Sequence, residues 1–121
     1  HPSGRILSVL DRLSVSAGQY LSHKPGAVIA SARRAGTTAS LDALAKHLGI
    51  LEMPVITSSY WNMVHGNTPE EVLQDLEGLQ TMRNLGRNMA WMLRCIEAGK
   101  KEGIDVPISE RGAKTNFIRS S

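Results

Sequence analysis

Cysteine is nearly absent from this chain: Cys95 stands alone among 121 residues. No intrachain disulfide can form, and no metal site built on several thiolates of one chain is possible. The histidines at positions 1, 23, 47 and 65 lack a ligand spacing, and none stands near a serine or cysteine in a nucleophile pattern. No metal site and no covalent catalysis are therefore assigned, and the catalytic residues stay unknown. Only five aromatic residues are present, and the formal charge of +3 comes from interspersed rather than clustered residues. A basic stripe interleaved with aromatics, the usual mark of a nucleic-acid binder, is missing, so no nucleic-acid partner is expected. No apolar run approaches the roughly 18 residues of a membrane span, and no secretory pattern opens the chain. These absences fit a reducing, cytoplasmic setting.

What is present is ordinary globular material, 41% apolar and 21% charged, of a length for one domain. A chain of this size can bury about two-thirds of its unfolded surface. It opens on His1-Pro2-Ser3-Gly4 without an initiator methionine and enters at once the helical stripe Ile6, Val9, Leu10, Leu13, with Ser3 as its cap. Such a start leads us to expect further residues upstream.

The pattern predicts a helix over residues 4–17, a strand over 26–31, a helix over 38–48 and a strand over 54–58. A polar, aromatic loop over 59–67 follows. Thr68-Pro69-Glu70-Glu71 then supplies an N-cap, a proline in the first turn and a glutamate three residues after the cap. From there one long helix is predicted to Gly99, its stripe positions Val72, Leu76, Leu79, Met82, Gly86, Met89, Leu93 and Ile96 advancing by threes and fours. Leu73, Leu85, Trp91 and Met92 widen that stripe beyond what one small sheet covers, which points to a second surface such as a partner subunit. Gly78 and Gly86 inside it mark either close backbone approach or tolerated glycines. Cys95, beside the stripe, reads as a buried thiol, and His47 as a helix C-terminal or solvent-facing residue.

Strands alternating with helices point to βαβ units and a parallel sheet, the α/β doubly wound class. Two strands are too few for such a sheet, whose faces and ladder groups must be covered. The chain is thus expected to be the later part of a larger domain or to borrow strands from another chain.

In such sheets ligands sit at the carboxyl ends of the strands. Ser31-Ala32-Arg33-Arg34-Ala35-Gly36-Thr37-Thr38 follows the first predicted strand directly. Its two arginines can hold an anion or the carbonyl edge of a planar ligand, its glycine permits close approach, and its threonines add hydroxyls and a cap. Equally, the arginines could make surface ion pairs and one threonine merely cap the helix. After the second predicted strand, Tyr60 and Trp61 offer flat apolar surface while Asn62 and His65 offer polar contacts. Packing at a core edge or a subunit contact would explain them as well.

The stretches 31–38, Met53-Pro54-Val55, Tyr60-Trp-Asn-Met-Val-His-Gly-Asn-Thr-Pro-Glu70, Asp75-Leu-Glu-Gly-Leu-Gln-Thr-Met82 and Gly86-Arg-Asn-Met-Ala90, in this order, resemble the C-terminal part of the flavodoxin-like NADPH-dependent FMN reductase family. The resemblance runs from Pro2 to about Gly99. It implies a flavodoxin-like doubly wound domain over residues 1–99, followed by a basic tail over 100–121 that packs on a neighbour or stays partly disordered. It further implies noncovalent FMN, NADPH or NADH as co-substrate, and electron transfer to a quinone, flavin or similar acceptor. Carried over residue by residue, the flavin would touch Pro2, Ser3 and Gly4 and the loop Ala32, Arg33, Arg34, Ala35, Gly36, Thr37 and Thr38. Tyr60, Trp61, Asn62 and His65 would border the site, from the same or a neighbouring subunit of a homo-oligomer. The strand and phosphate-cradling loop that open the family's domain have no counterpart here, so the chain is expected to hold part of a site. An electron carrier of the same fold, and an assembly or regulatory module acting through helix 69–98, are the alternative functions.

Overall fold

The computed structural model describes residues 2–117; His1, and Arg119 with the rest of 118–121, lie outside the described residues. Helix α1 (Gly4–Ala17) begins where the sequence predicts, with the Ser3 hydroxyl accepting the Ile6 amide at 3.4 Å. A 3-10 turn, Gly18–Tyr20, follows. Strand β1 (Ala30–Ala32) leads into α2 (Thr37–Ile50), and strand β2 (Met63–His65) leads into a short helix α3 (Pro69–Val72) and the long α4 (Leu76–Lys101).

The sheet is parallel and small, with Ala30, Ser31 and Ala32 paired to Met63, Val64 and His65. The predicted strand 26–31 contracts to its last residues plus one bridge, Gly26 to Val55, and the predicted strand 54–58 contracts to that bridge. Residues 26–32 nonetheless run along one line. Gly26 exchanges hydrogen bonds with Pro54 and Ile56, Ala30 donates to the Asn62 carbonyl, and the Ala32 carbonyl accepts from Gly66. The partner strand is interrupted between these points by an excursion over residues 57–62. Asn62 bridges the gap, its side-chain amide donating to the Val28 carbonyl at 3.0 Å. The real second strand thus falls inside the stretch predicted as loop. Its three residues are too few to show an alternation, and the pairing that makes them a strand is a long-range event.

Because all these bonds come from even-numbered positions, the N–H and C=O groups of Ala27, Ile29 and Ser31 face the opposite edge, where no strand of the described residues pairs with them. This is the mixed α/β arrangement of a partial flavodoxin-like sheet. Helices α1 and α2 run side by side in the same direction: Asp11 faces His47 and Ser14 lies beside Ile50, both 36 positions apart. The core is Leu41, Leu48, Leu51, Ile56 and Leu85, with Thr37 and Thr81 buried among them.

The predicted long helix is two helices. Thr68 accepts the Glu71 amide, as the capping pattern foretells, and Glu71 accepts the amide of Asn67, one residue before the cap, but α3 stops at Val72. Asp75 then caps a new helix by accepting the Gly78 amide at 2.9 Å. Aspartate prefers a cap to a helix interior, and here it has a second amide to hold. The apolar spacing passes through the break undisturbed, which hides it from a periodicity reading. At about 1.5 Å per residue, the 26 residues of α4 extend beyond the sheet. Its buried positions Gly78, Thr81 and Leu85 all lie in the first half. Trp91, Leu93 and Ile96 are exposed, and so is Cys95, against the expectation of a buried thiol. Residues 104–117 carry no helix or strand, and this tail turns back so that Ser109 and Arg111 both bond the Glu52 carboxylate.

The two glycines inside the predicted long helix behave differently. A Cβ at Gly78 would overlap the Asp75 carboxylate and lie 3.0 Å from Val64 Cγ1, whereas a Cβ at Gly86 would meet nothing within 4 Å. Gly78→Ala is therefore expected to lower stability by about 1–3 kcal/mol through overpacking. Gly86→Ala is expected to raise it by up to about 1 kcal/mol through helix propensity. Urea denaturation of both variants checks the contrast, and equal effects of the same sign would contradict it.

Candidate functional site

The carboxyl ends of β1 and β2 lie side by side, tied by the Gly66 amide donating to the Ala32 carbonyl at 3.0 Å. Two chain segments leave the sheet at this edge. After Ala32 the bend at Arg33, Arg34 and Ala35 is fully outside the core, and Gly36 turns it into α2 at φ 92°, a left-handed conformation that suits glycine. Gly36 itself occupies the cap position, without a side-chain cap; Thr37 starts the helix one residue earlier than the sequence predicts. Thr37 is buried and its hydroxyl donates to Met63 Sδ at 3.3 Å, so this threonine locks α2 to β2. Thr38 is exposed.

Arg33 and Arg34 are exposed, and among the described residues neither has a carboxylate partner. The alternative that they make surface ion pairs within the chain does not hold in this structure. Two free guanidiniums beside a helix N-terminus form a local positive field that suits an anionic or carbonyl-bearing group. Pro2, Ser3 and Gly4 stand at the start of α1, and because α1 runs parallel to α2 at a constant offset, that start lies at the same end of the helix pair as the 33–36 bend.

His65 and Asn62 are less available than their chemistry promised. Asn62 spends its amide on the Val28 carbonyl. His65 is tied at its backbone to Asp75, whose Oδ2 accepts the His65 amide at 2.8 Å and lies 3.9 Å from His65 Nδ1. Asp75 is the residue that sequence reasoning missed. One carboxylate joins the end of β2 to the start of α4, and these backbone amides of Gly78 and His65, with the His65 ring nearby, hold it below the ordinary carboxylate range. Its signal was an aspartate of poor helix propensity with a glycine three residues on, inside an otherwise good helical stripe.

Tyr60 and Trp61 lie on the excursion that precedes β2. Ser58 donates to the Thr81 carbonyl and Asn84 donates to Ser59, so residues 57–59 are pinned to α4, while Asn62 is pinned to β1. Between these anchors the two rings project together, centroids 6.2 Å apart and planes at 46°. They rim a cleft of about 410 Å³ whose floor is Val28, Val55 and Ile56 and whose far wall is Leu41, Asp42 and Ala45 of α2. Trp61 also borders a smaller hollow with Thr38, which leads toward the 33–36 bend.

A family model described as NADPH-dependent FMN reductase matches residues 1–68, more than half of the chain. The chain belongs to that family. The match takes in both strands, α1, α2 and the Arg33–Arg34 bend; α3, α4 and the tail lie outside it. No curated protein and no solved structure matches the chain. Membership implies an FMN-dependent NAD(P)H oxidoreductase in general terms. No helix among the described residues is long and apolar enough to cross a membrane, and none of their histidine, cysteine, aspartate and glutamate side chains cluster as a metal site would require.

The Asp75 clamp yields a pH prediction. Its carboxyl is held ionised in the folded chain, so its stabilisation is present above the unfolded value of 3.8 and is lost as pH falls through and below that value. Asp75→Asn should lower stability at neutral pH by about 1 kcal/mol and flatten the acid side of the stability curve. Thermal melts between pH 2.5 and 7 check this; parallel curves for variant and parent would contradict it.

Proposed function

We propose that this member of the NADPH-dependent FMN reductase family supplies the ring side of a noncovalent FMN site, in an enzyme that takes electrons from NADPH or NADH and passes them to a quinone, flavin or similar acceptor. When bound, FMN supplies the two-electron chemistry; the protein supplies position and electrostatics. The observation that carries the reading is the pair of partnerless guanidiniums, Arg33 and Arg34, on the bend at the carboxyl edge.

The residues of this edge fit the ring end of the flavin. Its pyrimidine carbonyls and ring nitrogens are acceptors and a site of negative charge on reduction, and guanidinium donors and the first amides of α2 answer both. Gly36 keeps Cβ away from a flat ligand. In this reading Ala32, Arg33, Arg34, Ala35, Gly36, Thr37 and Thr38 hold the ring, with Pro2, Ser3 and Gly4 closing it from the start of α1. Thr37 acts from behind, since its buried hydroxyl sets the angle of α2 against β2. Residues 1–99 form the FMN-binding part and 100–121 a basic tail. A cytoplasmic location fits this reading.

Assembly belongs to it as well. Past Leu85 the helix α4 exposes Trp91 at 64%, Leu93 at 49% and Ile96 at 38%, apolar surface whose burial would stabilise a homo-oligomer. The same surface serves the assembly-module alternative, although it now begins at Leu76 rather than at position 69, because α3 and α4 are separate.

The ring assignment separates from a phosphate assignment by using lumiflavin, which carries the ring without the phosphate. Arg33→Ala and Arg34→Ala should each weaken binding of both FMN and lumiflavin about tenfold, measured by flavin fluorescence quenching. Loss of FMN affinity with lumiflavin affinity unchanged would overturn the ring assignment.

A further inference from the structure

The cleft between α2 and residues 55–62 has a chemistry that the flavin reading does not use. Its floor is aliphatic, its rim is Tyr60 and Trp61, Thr57, Ser58, Ser59 and Asn62 add uncharged polar groups, and Asp42 is the only charged side chain that lines it or the adjoining hollow. Asp42 is exposed and, among the described residues, has neither a hydrogen-bond nor an ion-pair partner. The cation one helical turn on, Lys46, lines a different groove, together with Asp11, Ser14 and His47 on the side of α1.

We infer that this cleft binds a planar aromatic cation, its ring lying against Trp61 and Tyr60 and its charge beside the Asp42 carboxylate. The rings are tilted by 46° and more than half exposed, so their faces are open to a guest instead of being used on each other. A cation over an aromatic face is attracted by the ring quadrupole, and the carboxylate adds a charge partner. A cleft of about 410 Å³, mainly apolar with a few polar groups of which Asp42 alone is charged, has the size and composition of a small-molecule site. Charge decides the sign of the guest. The whole chain is at +3, so long-range electrostatics draw anions, and a preference for a cation can only be local. The inference stands apart from the flavin reading, because no residue of the 33–36 bend takes part and the test contains no FMN.

Three probes of one skeleton test it: N-methylacridinium (cation), acridine (neutral at pH 8) and acridine-9-carboxylate (anion), each titrated with the full chain and followed by its own fluorescence anisotropy. The cation should bind most tightly and the anion least. Asp42→Asn should weaken the cation threefold to fivefold and leave acridine unchanged, and Trp61→Leu should weaken both about tenfold, with far-UV circular dichroism confirming that both variants fold. Equal binding of cation and anion, or a cation affinity that Asp42→Asn leaves unaltered, would overturn the proposal. So would sedimentation showing the chain to be an oligomer that Trp61→Leu dissociates, because a second copy would then occupy the cleft.

Discussion

The pairing of three residues with three residues, Ala30 to Ala32 against Met63 to His65, holds the rest of the structure in place. It carries few hydrogen bonds, yet it sets two strand ends level and so brings the Arg33–Arg34 bend next to Gly66 and His65. On one side Thr37 reaches from the first turn of α2 to Met63. Asp75 reaches from the first turn of α4 to the His65 amide. Each helix is thereby attached to the same short ladder at its own N-terminus. Helix dipoles and open amides converge at one edge, which is the physical reason that such edges take ligands.

The excursion over residues 57–62 is the second organising feature. A continuous partner strand would have placed Tyr60 and Trp61 in the ladder. Instead the chain leaves after the bridge at Val55, is fastened to α4 by Ser58 and Ser59, and returns at Asn62, whose side chain stands in for a missing backbone partner at Val28. The aromatics are thus held outward by polar anchors on both sides. Their exposure follows from the hydrogen bonding around them, and it creates a cleft lined by the sheet and α2.

How much of this the sequence foretold depends on whether the cause was local. Helices α1 and α2 and the cap at Thr68 were legible, because caps and a stripe of threes and fours are properties of neighbouring residues. The position of the Arg33–Arg34 bend between a strand and a helix was legible for the same reason. The strand Met63–His65 was not, since nothing within three residues distinguishes it from the polar loop around it and its partner lies 33 positions away. The split between α3 and α4 was hidden because the apolar spacing of the sequence continues across Asp75 without a gap. Cys95 was misplaced because α4 outruns the sheet, so a position beside the stripe finds nothing to pack against. At the site, Arg33 and Arg34 stand exposed without an ion-pair partner among the described residues, whereas Asn62 and His65 are engaged in holding the backbone.

Residue-resolved amide hydrogen exchange tests the central claim most directly, because the register dictates which amides are covered. Ala30, Ala32 and Gly66 face the partner strand and should exchange slowly, while Ala27, Ile29 and Ser31 face the open edge and should exchange fast. Such an alternation would establish the ladder on which the proposed flavin edge depends. Uniformly fast exchange across residues 26–32 and at Gly66 would contradict it, and would leave the Arg33–Arg34 bend without a fixed neighbour.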